Sequence, residues 1–122
     1  MDRKETGILG EKLALALLKK RGYRIIETNF RCREGEIDIV ARQKECLVFV
    51  EVRTKTSHRF GTPEESVTPA KQARMRRAAR RYLQTHGKTT ELWRIDFIAV
   101  ELNAMGRTDR IEHIESAVGE GR

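Results

Sequence analysis

Two short segments constrain this chain more than any others: Gly35-Glu36-Ile37-Asp38-Ile39-Val40 and, after a polar interval, Val50-Glu51-Val52-Arg53. Each alternates apolar and polar residues, the period of a strand with one buried face. Gln43-Lys44-Glu45 between them predicts a hairpin turn. With Arg42 opposite Leu47, an antiparallel pairing sets Ile37, Ile39 and Ala41 against Val52, Val50 and Val48, one consistently apolar side. The same register places Asp38 directly opposite Glu51 on the other side. Carboxylates so paired stand about 5 Å apart and repel each other, and a cation between them turns that repulsion into binding. Magnesium, which takes oxygen ligands and is held by one or two carboxylates plus substrate phosphate, suits such a place. There it would ionise a water and stabilise phosphoryl charge. The competing reading is a surface ion-pair cluster in which Arg53, two residues along the same face, neutralises both acids.

At 122 residues the expectation is one domain with one core. Lys and Arg number 25 against 18 Asp and Glu, a formal net charge of +7. That excess favours polyanions, nucleic acid first and acidic membranes second. No apolar run is long enough to span a bilayer. Met1-Asp2-Arg3-Lys4-Glu5 has no apolar core behind a basic start, so no signal peptide is expected. Cys32 and Cys46 do not make a disulfide framework, and a reducing cytoplasm is the expected setting. His58, His86 and His113 read as surface or structural groups, because no serine or cysteine stands in a nucleophile setting. There is no phosphate-binding glycine loop and no internal repeat.

Along the chain, residues 3–21 read as a helix stopped by Gly22. Residues 23–30 read as a first strand, followed by the hairpin and then a polar loop over 56–67. A second helix starts with Thr68 as N-cap and Pro69 at the first helical position. Its apolar stripe is Met75, Ala78, Ala79, Tyr82 and Leu83. Residues 92–102 read as a fourth strand interrupted by Arg94 and Asp96, and 110–117 as a short edge strand after a turn at 103–106. The order αβββαββ implies an α/β sandwich around a mixed sheet, with antiparallel hairpins and one helical crossover. Residues 1–117 form the expected domain, and 118–122 a frayed tail.

The second helix carries Lys71, Arg74, Arg76, Arg77, Arg80 and Arg81 with no acid among them. Like charges at helical spacing repel, and a phosphate backbone relieves them while releasing counterions. The alternative is a solvated face answering acids elsewhere, such as Glu64 and Glu65. In the first helix, Glu11 has Gly7, Ile8, Ala14 and Leu15 as one-turn neighbours. That helix is apolar nearly all round, so its wheel does not choose the face that meets the sheet. Taken alone, Glu11 reads as a surface glutamate.

Gly10-Glu11-Lys12-Leu13-Ala14, Gly22-Tyr23-Arg24, Asn29-Phe30-Arg31, Gly35-Glu36-Ile37-Asp38, Phe49-Val50-Glu51-Val52-Arg53-Thr54, Phe60-Gly61-Thr62-Pro63 and Lys71-Gln72 occur in the order of the YraN-like uncharacterised proteins, and Arg94-Ile95-Asp96 fits too. The chain resembles that family over roughly residues 7–100. The family in turn resembles the restriction-endonuclease-like superfamily, PD-(D/E)XK, and is similar to archaeal Holliday-junction resolvases. The resemblance implies that Asp38 and Glu51 are paired metal ligands and Glu11 an accessory acid. It also implies that Lys71 or Gln72 reaches the site from the second helix. The chain departs from the superfamily at Arg53, where a lysine is expected. Arginine holds a phosphate but stays protonated. Lys55, about 6–7 Å further along the same face, is the available substitute.

The expectation is a magnesium- or manganese-dependent endonuclease acting on structured or branched nucleic acid. Asp38, Glu51 and Glu11 would bind metal, and Arg53 or Lys55 would stabilise charge. Lys71, Gln72, Arg74, Arg77 and Arg81 would contact the nucleic acid, DNA first, with a homodimer left open and no membrane partner. The rival expectation is a non-catalytic nucleic-acid-binding module on the same fold. A weaker third is an adaptor whose basic helix meets an acidic protein.

Overall fold

The computed structural model describes residues 1–57, 59, 61–86 and 92–118. The reading of His58, the Phe60 motif position and the tail residues 119–122 lie outside them. Among the described residues, two helices and five strands follow in the expected order, with one 3-10 turn inside the stretch read as a polar loop: α1 (Arg3–Lys20), β1 (Arg24–Cys32), β2 (Gly35–Gln43), β3 (Cys46–Lys55), the 3-10 turn (Glu64–Ser66), α2 (Pro69–His86), β4 (Trp93–Leu102) and β5 (Thr108–Val118). The strands form one sheet in the order β1-β2-β3-β4-β5. All neighbours are antiparallel except β3 and β4, which α2 joins as a crossover.

Local signals account for the element ends. Asp2 and Glu5 close a capping box on α1, with the Glu5 N–H donating to Asp2 Oδ1 at 2.8 Å. Gly22, with φ at +87°, ends the helix as expected, and the Tyr23 N–H donates to the Leu18 carbonyl. Thr68 Oγ1 accepts from the Lys71 N–H at 3.2 Å at the start of α2.

The helices cover opposite faces of the sheet. Ala14 and Leu18 of α1 pack with Ile39, Ala41, Val48, Val50, Ile98 and Val100. Met75, Ala78, Ala79, Tyr82 and Leu83 of α2 pack with Ile37, Val40, Leu47, Phe49 and Ile95. The face of α1 that its own pattern left undecided is set by Thr6, Gly10, Ala14 and Leu18. Gly10 is the reason: a Cβ there would overlap the Thr54 side chain of β3, so α1 comes closest to the sheet at this glycine.

Three expectations need correction. The edge strand is long, beginning at Thr108. Val118 does not fray; it pairs with Ile95 and is buried at 6% exposure. Ile37 lies on the α2 side with Val40, whereas Ile39 and Ala41 lie on the α1 side. The alternation therefore breaks across Asp38, where the partner strand β1 is also irregular: Asn29, between the pairs Thr28↔Ile39 and Phe30↔Ile37, has φ at +55°. No helix among the described residues is long and apolar enough to cross a membrane.

Candidate functional site

The pairs of β2 and β3 run from Gln43↔Cys46 through Arg42↔Leu47, the expected register, to Ile39↔Val50. Asp38 and Glu51 would pair next, and there the ladder stops. The Val52 N–H donates to Asp38 Oδ2 at 2.8 Å, so the carboxyl takes up a donor at the fork between the strands. Glu51 is near enough for its carboxyl to share a hydrogen bond with that of Asp38 when one of the two is protonated. Burial, then the bond to Glu51 and its charge, push the Asp38 pKa up to about 9; the Val52 N–H opposes this and the charge of Glu11 adds to it. Two acids in this position repel each other unless a shared proton, a basic side chain or a bound cation offsets the charge.

Glu51 faces α2. Its Oε2 lies 2.8 Å from Lys71 Nζ and 3.9 Å from Arg53 Nε. These groups, with Asp38 and Arg74, line a cleft of about 280 Å³. Arg53 Nε is buried and makes no hydrogen bond within the described structure. A second cleft of about 900 Å³ opens on the α1 side, lined by Glu11, Asn29, Asp38, Arg53 and Lys55 among others. There Glu11 Oε1 accepts from Asn29 Nδ2 at 3.0 Å. Asp38, at the break in alternation, borders both clefts.

The expected residues thus separate into groups. Asp38, Glu51, Arg53 and Lys71 meet at the fork. Glu11 approaches from the far side, close enough for its charge to act on Asp38. Among the described residues, no three His, Cys, Asp or Glu side chains gather as one metal-holding group. The acids are therefore a pair with Glu11 set apart, not one cluster of three. Lys55 lines only the larger of these two clefts. Gln72 turns away: its Nε2 donates to the Val67 carbonyl at 3.2 Å.

On α2, Arg74 and Arg77 are exposed and have no ion-pair partner among the described residues. Arg81 differs, because its Nε and NH2 clasp both oxygens of Glu34 at 3.0 and 2.8 Å. That clasp holds the Glu34 pKa down to about 2. The acids considered as answers to this helix are occupied elsewhere: Glu64 pairs with Arg110 at 2.8 Å, and Glu65 accepts from Thr62.

Sequence reasoning did not single out Asn29 apart from its motif, and it missed a buried polar cluster. Asp96 is fully buried and accepts from Arg94 Nε at 2.9 Å and the Ser116 N–H at 3.0 Å, with His113 Nε2 at 2.7 Å. The His113 side chain is buried too and meets the Tyr23 ring edge-on. The cluster joins β4 to β5 and to the end of α1. Its one signal in the sequence was the charged pair Arg94 and Asp96 inside an apolar run.

Comparison with known proteins agrees along nearly the whole chain. A protein of Dehalococcoides mccartyi is 50% identical over 119 residues, 98% of this chain and 97% of its own length. One of Moorella thermoacetica is 49% identical over 117 residues, covering 96% and 98%. One of Pelotomaculum thermopropionicum is 44% identical over 115 residues, covering 94% and 96%. Each is described as a UPF0102 protein. Residues 10–100, which hold Glu11, the strand fork and all of α2, match the same description, and the chain belongs to the uncharacterised protein family UPF0102.

Proposed function

We propose that this protein is a metal-dependent nuclease that hydrolyses phosphodiesters in structured or branched nucleic acid, within the restriction-endonuclease-like superfamily and akin to archaeal Holliday-junction resolvases. One observation carries the reading: the Asp38 and Glu51 carboxyls converge where β2 and β3 part, in a cleft bordered by Arg53, Lys71 and Arg74. Converging oxygen donors suit a hard divalent cation, magnesium or manganese, held by Asp38 and Glu51 with Glu11 beyond them. When bound, the cation supplies an ionised water and positive charge against the phosphoryl oxygens. Arg53 and Lys71 add fixed positive charge on the same wall, where a phosphate would develop negative charge. Arg53 stays protonated, so it neutralises and does not take a proton. The buried Arg53 Nε, which makes no hydrogen bond within the described structure, supports an anion lying there. Arg74 and Arg77 carry the backbone onward along α2.

The second reading is a binding module without catalysis. It rests on the Lys71–Glu51 ion pair at 2.8 Å, which balances one acid without a metal. Incubation with branched, single-stranded and duplex substrates, with magnesium or manganese and then chelator, decides between the two. Cleavage that needs the metal and is lost in Asp38→Asn and Glu51→Gln supports the nuclease. Binding with no cleavage of any substrate supports the module.

A further inference from the structure

We infer that the α1-side cleft is a groove for one unpaired nucleic-acid strand running on from the fork; this rests on the nuclease reading for which end of the groove meets the reacting phosphate. The two clefts share Glu36, Asp38, Val52 and Arg53 in their walls, so a chain leaving the fork over Arg53 enters the larger one directly. Its walls then present cations from two separate elements: Arg3 and Lys4 at the start of α1, and Lys55 near the end of β3. Arg53 and Lys55, two residues apart on one strand, stand about 7 Å from each other, a step that suits successive phosphates of an extended chain.

The rim also carries an apolar group that backbone contacts to an intact duplex would not use. Ile8 is 49% exposed and lines this cleft beside Arg3 and Lys4. A single strand offers base faces to such a side chain, whereas a duplex hides them in its stack. An acidic peptide would match the cations too, but it brings no base faces to set against Ile8.

The test is fluorescence anisotropy in chelator, so that binding is read without cleavage, using a single-stranded oligonucleotide and its blunt duplex. The variant Arg3→Ala/Lys4→Ala/Lys55→Ala should weaken single-strand binding about tenfold at low salt. It should also flatten the salt dependence by about 2 in logarithmic slope, at roughly 0.7 for each lost phosphate contact. Duplex affinity should change by less than about twofold, because Arg74 and Arg77 remain. Ile8→Ser should weaken the single strand alone and leave its salt slope as it was. Equal losses on both substrates, or no loss on the single strand in either variant, overturn the groove. So does displacement of the oligonucleotide by polyglutamate as effective as that by unlabelled strand, which assigns the cleft to an acidic protein segment. Failure to cleave with magnesium or manganese, with this binding pattern intact, removes the nuclease reading and leaves the strand groove.

Discussion

Replacing Asp38 by asparagine should stabilise the protein, and more so as pH rises. In the folded chain Asp38 holds its proton up to about pH 9, against an ordinary value of 3.8. Between those values the native state binds more protons than the unfolded state. Raising pH therefore favours unfolding, by at most about 1.4 kcal/mol per pH unit for one proton. The penalty is absent below the ordinary value and complete above about pH 9. Asparagine imitates the protonated acid: its carbonyl can accept from the Val52 N–H and its amide can donate to Glu51. It has nothing to titrate. From about pH 5 to about pH 7, the stability of Asp38→Asn relative to the parent should thus rise by about 1–3 kcal/mol. Urea unfolding in chelator, followed by circular dichroism at each pH, measures the difference. A difference that stays constant across the range would show that the carboxyls do not share a site, and the metal proposal would lose its foundation.

Magnesium or manganese should raise the melting temperature of the parent, by about 2.7 kcal/mol of added stability when present at roughly a hundred times its Kd. Asp38→Asn and Glu51→Gln should lose that rise, which differential scanning fluorimetry reads. Arg74→Ala with Arg77→Ala should weaken duplex binding and lower its salt slope by about 2. Arg81→Ala should change affinity by less than about twofold, because Glu34 already holds that guanidinium. Removing Asp96 as Asp96→Ala should cost about 3–5 kcal/mol in chemical denaturation, since Arg94 and His113 are left packed around a missing acid. Burial raises the Asp96 pKa, but His113, Arg94 and the Ser116 N–H more than offset it and hold it below 3.8. This contribution is accordingly present at neutral pH and is lost as pH falls through that lowered value.

The sequence by itself determined the elements, their order and the register of β2 on β3. Strand alternation has a period of two, so a slip of one residue would have moved every apolar side chain to the wrong face. That constraint was strong enough to bring Asp38 and Glu51 together before any coordinates. It also broke down at the site, because Asp38 lies where the alternation fails and Ile37 turns to the α2 side. Only the tertiary structure decided which face of α1 is buried. The apolar pattern ran nearly all round that helix, and the close approach of Gly10 to Thr54 made the choice. The fate of each charge was likewise a matter of distance through space. Lys71, Arg74, Arg77 and Arg81 are alike in a list of residues, yet Lys71 meets Glu51, Arg81 meets Glu34, and Arg74 and Arg77 face solvent. Periodicity reports which way a side chain points from its own element, whereas an ion pair depends on the other element that packing brings opposite it.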